Sequence, residues 1–249
     1  MIKNILFFSI ALALPLALNA QLFIDAETGA AFNTSNAVQF PNETNSESDR
    51  INVTDEFGNG SSWFYRLRLG YTIAGRHTIS ALYAPLDFSY DGQFATPRTF
   101  GENTFLESED VMLNYQFNSY RLTYRFEWIN EGKFRFGIGL TAKIRDARIK
   151  VESAESTSET EDFGFVPLIN FRAAYKFNDQ WSVLLRGDAL VGEQGRAEDI
   201  FLGGAYAPSD SHQFKLGYRI LDGGADVEQV YNFALVQYAA VAYRYRFNP

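Results

Sequence analysis

Charged side chains that recur on alternate positions, together with two histidines, are the groups in this 249-residue sequence able to do chemistry. Arg66, Arg68, Arg121, Arg125, Lys143, Arg172, Arg186, Arg219, Arg244 and Arg246 sit at even spacing inside otherwise apolar stretches, and Glu127 and Asp188 share their phase. Asp25, Glu27, Arg145 and Lys215 follow the same rule. Successive side chains of an extended chain point to opposite sides, so charges two residues apart share one face. Enclosed together they can form a hydrogen-bonded ion-pair core, or line a basic passage that selects anions. Hydrolytic chemistry needs a base that titrates near neutrality, and histidine is the natural supplier. His77 and His212 stand beside short turns at 74–76 and 209–211, and the long loops contain no histidine. A Ser211–His212 dyad fails because strand neighbours face opposite ways. Carboxylates such as Asp25 and Asp188 have arginines at hand to keep them ionised as structural partners. The expectation is a protein that is not an enzyme and that holds no cofactor or metal.

The elements that must position these charges are strands. The stretch 231–247, YNFALVQYAAVAYRYRF, keeps a period of two, with aromatic and aliphatic residues on every odd position but Gln237 and with Arg244 and Arg246 on even ones. Similar alternation predicts strands over 22–32, 62–73, 77–90, 109–129, 134–152, 162–176, 180–192, 199–208 and 212–221, ten in all with the last. The apolar phase changes at Pro85, toward Leu86, Phe88 and Tyr90, which predicts a bulge. In 109–129 it passes from Val111, Leu113, Tyr115 and Phe117 to Tyr120, Leu122, Tyr124, Phe126 and Trp128, which predicts a one-residue insertion at Asn118–Ser119. Short turns and long polar loops then alternate along the chain.

Residues 1–20 carry Lys3, an apolar run and the ending Leu18-Asn19-Ala20, the pattern of a secretory signal cleaved before Gln21. Residues 21–249 form one domain. Cysteine is absent, so an exported chain has no disulfides to hold it. There are 30 acidic and 22 basic residues, and the acids gather in the loops: Glu43, Glu47, Asp49, Asp55 and Glu56 in the first, others around 91–110, 152–162, 193–199 and 222–228. The segment Asp222 to Glu228 reads as a Gly/Asp turn, with a shared Ca²⁺ as the sharper alternative. Tyr71, Trp128, Phe134, Trp181, Tyr243 and Phe247 fall at strand ends near the short turns, as in an interfacial aromatic girdle. The bases are dispersed over many strands, not gathered into the exposed patch that nucleic acid requires.

The signal segment, the alternating strands and the terminal Tyr243-Arg244-Tyr245-Arg246-Phe247 resemble those of small bacterial outer-membrane β-barrel proteins, over essentially all of 21–249. The resemblance implies an all-β, antiparallel, up-and-down transmembrane β-barrel of about 10 strands, with 8 or 12 as alternatives. It also implies the outer membrane of a Gram-negative bacterium, with lipid and lipopolysaccharide as surroundings. The barrel-assembly machinery would read Tyr243, Tyr245 and Phe247, although in that family the aromatic usually comes last and here Asn248 and Pro249 follow. A monomer serving envelope structure or binding through acidic external loops is the leading expectation. A narrow pore with a basic lumen is the alternative, and a lipid- or peptide-modifying enzyme is the third.

Overall fold

The computed structural model describes residues 20–42, 49–193 and 195–247, so all of the signal segment but Ala20, Glu43, Glu47, Asn248 and Pro249 lie outside the described residues. Alternation produces long antiparallel strands: β1 (Ala20–Gln39), β3 (Gly60–Ile73), β4 (His77–Ala84) continued by β5 (Asp87–Gln93), β8 (Asp110–Ile129), β9 (Phe134–Ser153), β10 (Thr157–Lys176), β11 (Trp181–Gly192), β12 (Gly195–Tyr206), β13 (His212–Val227) and β14 (Val230–Arg246). Each pairs with its sequence neighbour, β4 and β5 counting as one strand against β8, and β14 pairs with β1 to close a ten-stranded barrel. Closure leaves the barrel without free edges where it is complete. Gly29 sits at the closing seam, where an added Cβ would lie 2.0 Å from the Ala239 carbonyl oxygen.

One end has four short turns, at 74–76, 130–133, 177–180 and 207–211. At the other end the first two connections are long. The first carries β2 (Ile51–Asn52) and α1 (Val53–Phe57), and the second carries the hairpin β6 (Arg98–Phe100) with β7 (Asn103–Phe105). The remaining three connections at this end are tight, because β10, β12 and β13 run further than their alternation predicts and absorb the expected loops. The Gly/Asp segment after Ile220 is accordingly strand: Asp222 accepts from Arg196 at 3.0 Å and Asp226 from Asn42 at 2.7 Å.

Both predicted bulges are corrected. The β8–β9 register runs unbroken through Asn118↔Asp146 and Ser119↔Arg145, and its one shift lies between Glu127 and Ile129. Across the Pro85–Leu86 break, Ala84 still faces Ser119 and Asp87 still faces Gln116, and Phe117 N–H donates to the Leu86 carbonyl at 2.8 Å. The inward positions of β8 stay odd from Val111 to Glu127, and those of β4 and β5 stay even from Thr78 to Tyr90. What changes is the environment. Near the short turns the outward face is apolar (Ile79, Leu122, Leu140, Leu216) and the inward face polar or charged. Toward the long loops the outward face becomes polar, with Asn118 donating to Asp146 at 3.0 Å, Ser89 to Asn114 at 2.8 Å and Lys150 to Glu152 at 2.6 Å. The inward face there turns apolar: Leu86, Phe88, Leu113, Tyr115, Ile149 and Val151 are buried. The long loops complete this upper core with Ile51, Val53, Phe94, Phe100 and Phe105, all at most 1% exposed.

The apolar outward band marks the part of each strand that meets lipid, since unsolvated backbone is tolerated there only when every polar group is paired within a closed sheet. Leu140, 69% exposed at the centre of the outward run on β9, is at mid-band. We expect Leu140→Arg to cost about 2–4 kcal/mol of folding stability in a bilayer. Arg148→Leu, beyond the band, is expected to change stability by about 0.5 kcal/mol at most. Urea-unfolding midpoints of the barrel in phospholipid vesicles check both, and equal costs would displace the boundary drawn here.

Candidate functional site

Alternate positions on nine of the ten barrel strands bring inward charges into the lower lumen, and β4 adds the polar Thr78 and Ser80. Asp25 accepts from Arg244 at 2.8 Å and from Arg186 at 3.3 Å, and also binds Lys215. Glu27 receives Arg219 at 2.7 and 2.9 Å and Arg186 at 2.7 Å. Asp199 gathers Arg66 at 2.7 Å, Arg121 at 2.6 Å and Arg219. Asp188 takes Arg121 at 2.8 Å, Thr141 at 2.6 Å and Asn170 at 2.7 Å, while Glu127 takes Arg125 at 2.9 Å and Arg172 at 3.3 Å. Arg68 donates to Ser80 at 3.1 Å, and Arg246, near the short turns, to the Asp210 carbonyl at 2.9 Å. Phe23 and Phe201 pack against the Arg244 and Arg219 guanidiniums at 4.3 and 5.4 Å. Lys215 points inward as its phase predicts, but Asp199, expected among the acids of an outer loop, is instead a buried strand residue that joins three arginines. Its position at the start of an expected short strand concealed that it points inward.

This belt fills the barrel. The cavities lined by its members measure about 10 and 30 Å³. Such volumes hold one or two separate waters, not a continuous file.

Above the belt the lumen widens into a chamber of about 520 Å³. Its walls include Leu86, Phe117, Ile149, Leu221, Ala234 and Val236, and its polar groups include Lys143, Arg145 (paired with Asp162), Arg196 and Asn232, together with Glu161, Glu193 and Asp222. Lys143 lies at the boundary between belt and chamber. It is 3% exposed, and its Nζ sits 4.7 Å from the Phe117 ring centroid. Among the described residues no carboxylate comes within ion-pair distance of it, because Asp188 and Asp199 are held by arginines. Tyr115 donates to Asn232 at 3.1 Å. Burial pushes the Tyr115 phenol up, and that of Tyr90 up to about 12, so both remain neutral donors.

The chamber wall has a notch. β10 pairs with β11 only from Ile169 to Lys176, and the β11–β12 hairpin stops at 192–195, so residues 157–168 of β10 have no strand on that side. Pro167 occupies this stretch, where its missing N–H deprives no neighbour. Phe163 and Phe165 project outward there, 75% and 64% exposed.

The histidines are elsewhere. His77 bonds Tyr124 at 2.9 Å and His212 bonds Tyr243 at 2.7 Å, each on an outward strand position at the short-turn end. They stack among Phe126, Tyr243 and Tyr245 as members of an aromatic rim. Trp128, Phe134, Trp181 and Phe247 are exposed at the same end, and Tyr71 is half-buried.

The barrel can be aligned along most of its length with a solved structure, the outer membrane protease OmpT of Escherichia coli. The TM-score is 0.54 at 8% identity, covering 91% of this chain and 97% of that one. The fold is that of a bacterial outer-membrane β-barrel. Two further similar structures are the Neisserial surface protein NspA (TM-score 0.37, 13% identity, 91% of this chain and 97% of that one) and Ail, the attachment invasion locus protein of Yersinia pestis (0.39, 10%, 90% and 98%). No protein-family model and no curated protein sequence matches the chain.

Within this outer-membrane fold the belt's cost is set by desolvation, which mutual attraction offsets only if each charge keeps its partners. Arg219 is shared by Glu27 and Asp199, so Arg219→Met is expected to lose about 3–5 kcal/mol. Its unfolding midpoint against wild type checks this; a change under about 0.5 kcal/mol, typical of a surface site, would show that the belt carries no such strain.

Proposed function

We propose that the protein is a closed, non-catalytic barrel of the outer membrane of a Gram-negative bacterium, and that it works by binding at its outer side. The observation that carries this reading is the ion-pair belt, in which Asp25, Glu27, Asp188 and Asp199 each hold two or more donors across the lumen. A belt of interlocked pairs supports closure because moving any one arginine strands a buried carboxylate. The upper chamber and the loop-built apolar core above it supply a shaped, partly enclosed surface, which a purely structural barrel does not need. In this reading the acids of the outer loops face the lipopolysaccharide surface, and the chain acts as a monomer. His77 and His212 serve the aromatic rim, supporting a role without acid–base chemistry.

The alternative, a narrow pore with a basic lumen, makes the opposite electrical prediction. Purified full-length protein in planar bilayers is expected to show no discrete conductance steps. Reproducible anion-selective openings in the wild type, lost in the Arg66→Ala plus Arg121→Ala double variant, would replace the closed reading with the pore.

Export and insertion fit the same proposal. Residues 1–20 act as a cleaved signal, and Tyr243, Tyr245 and Phe247 present the strand that the assembly machinery reads. Phe247 already closes the seam, its N–H donating to the Leu22 carbonyl at 2.8 Å and its ring lying 4.8 Å from that of Tyr245. Mass spectrometry of the mature protein is expected to find Gln21 at the N-terminus, and Phe247→Ala to lower the amount of folded barrel in membranes several-fold. An uncleaved chain, or undiminished assembly of the variant, would refute the corresponding half.

A further inference from the structure

The chamber above the belt mixes apolar walls with charged residues, the acids Glu161, Asp162, Glu193 and Asp222 among them, and three of its lining residues carry donors with nothing to donate to. Among the described residues Lys143 Nζ has an aromatic ring but no carboxylate within ion-pair distance, and the buried Arg145 Nε and Asn232 Nδ2 lack any hydrogen-bond acceptor. All three residues line the same chamber. Buried donors are nearly always satisfied, so a group of them opening on one cavity marks the position of an absent acceptor. A buried ammonium specifically calls for an anion.

We propose that the chamber binds a single-chain amphiphile with a carboxylate head, its head on Lys143 and its alkyl chain along Leu86, Ile149, Leu221 and Val236. The proposal rests on the closed-lumen reading, since an open passage would retain no resident. One uncompensated ammonium matches a monoanion, and about 520 Å³ falls in the range of small-ligand sites, roughly 300–1,000 Å³. That volume suits one chain; a lipid with several acyl chains exceeds it. The notch between β10 and the β11–β12 hairpin gives the route. Its lower end, Phe165 to Leu168, pairs with Ile144 to Thr141 at the upper margin of the apolar band, so a chain dissolved in the outer leaflet can pass sideways into the chamber there without crossing the polar loops.

The test is calorimetric titration of full-length barrel in phosphatidylcholine nanodiscs with decanoate, decanol and decyltrimethylammonium, with empty nanodiscs giving the partition background. Decanoate is expected to saturate at one per barrel, at least tenfold tighter than decanol, and the cation is expected to show no saturable binding. Each added methylene contributes about 0.8 kcal/mol, so dodecanoate is expected to bind about fourteenfold tighter than decanoate. Lys143→Met should bring decanoate and decanol to the same affinity, and Lys143→Arg should keep the preference. Ala234→Trp, or Val236→Phe should the first fail to fold, should abolish binding of both by filling the space. Heat-modifiable migration and circular dichroism verify the fold of every variant. Equal wild-type affinities for decanoate and decanol, or an unchanged preference in Lys143→Met, would overturn the proposal. Silence toward all three probes would overturn it as well, and if the same sample stays electrically silent in planar bilayers the closed-lumen reading survives. Anion conductance without saturable binding would overturn both.

Discussion

A pleated strand fixes which side chains face in and which face out, while the surroundings of a membrane barrel change along its axis. That mismatch governs this structure. The pleat alternates without regard to environment, so a strand longer than the bilayer must exchange its polar and apolar faces where it leaves the lipid. β9 shows the exchange plainly. Its outward residues run Phe134, Phe136, Ile138, Leu140 and Ile144, then Asp146, Arg148, Lys150 and Glu152, while its inward residues pass from Thr141 and Lys143 to Ile149 and Val151. One barrel thus has two cores: an ionic one wrapped in lipid, and an apolar one wrapped in water.

This exchange also explains what the sequence did and did not disclose. The ten strands, their antiparallel wiring and the four short turns are legible because period-two alternation is a local signal. The same local signal misleads at Pro85 and Asn118. A shift of apolar phase looks identical whether the chain gains a residue or leaves the bilayer, and only the pairing partner distinguishes them. Asp146 opposite Asn118 makes the answer visible, but that pairing spans 28 residues. The buried Phe94, Phe100 and Phe105 were unreadable for a related reason, being isolated aromatics in polar loops with no periodicity of their own. Equally hidden was the lack of a partner for Lys143. Its phase announces an inward base, but whether an acid reaches it depends on the registers of β8, β11 and β12 together.

Ionic and apolar cores also make different demands. Burying Asp25, Glu27, Asp188 and Asp199 is costly, and pairing recovers the cost without leaving a large surplus. What the pairs confer is uniqueness of arrangement: each carboxylate is reached from two or more strands, so a slip of one register unpairs several charges at once. A lumen locked in that way is a firm floor. The apolar chamber needs such a floor, because a ligand site open at both ends would lose its occupant to either side.

The notch bears on whether the chamber is a consequence of packing or an opening built for use. An unpaired stretch of β10 is a hazard, since a bare edge recruits other strands. A barrel with no use for the gap would close it by extending the β11–β12 hairpin a few residues, as β13 and β14 extend to 227 and 230 beside it. Instead the hairpin ends early and the edge is guarded residue by residue. Pro167 cannot donate to an incoming strand, Glu159 and Glu161 place charge on the outer face above it, and Phe163 and Phe165 offer bulk to lipid. Such guarding keeps an edge monomeric while leaving it open. An edge that is both retained and defended is hard to explain as a packing remnant, and it lies beside Lys143, an inward lysine with no direct ion pair among the described residues.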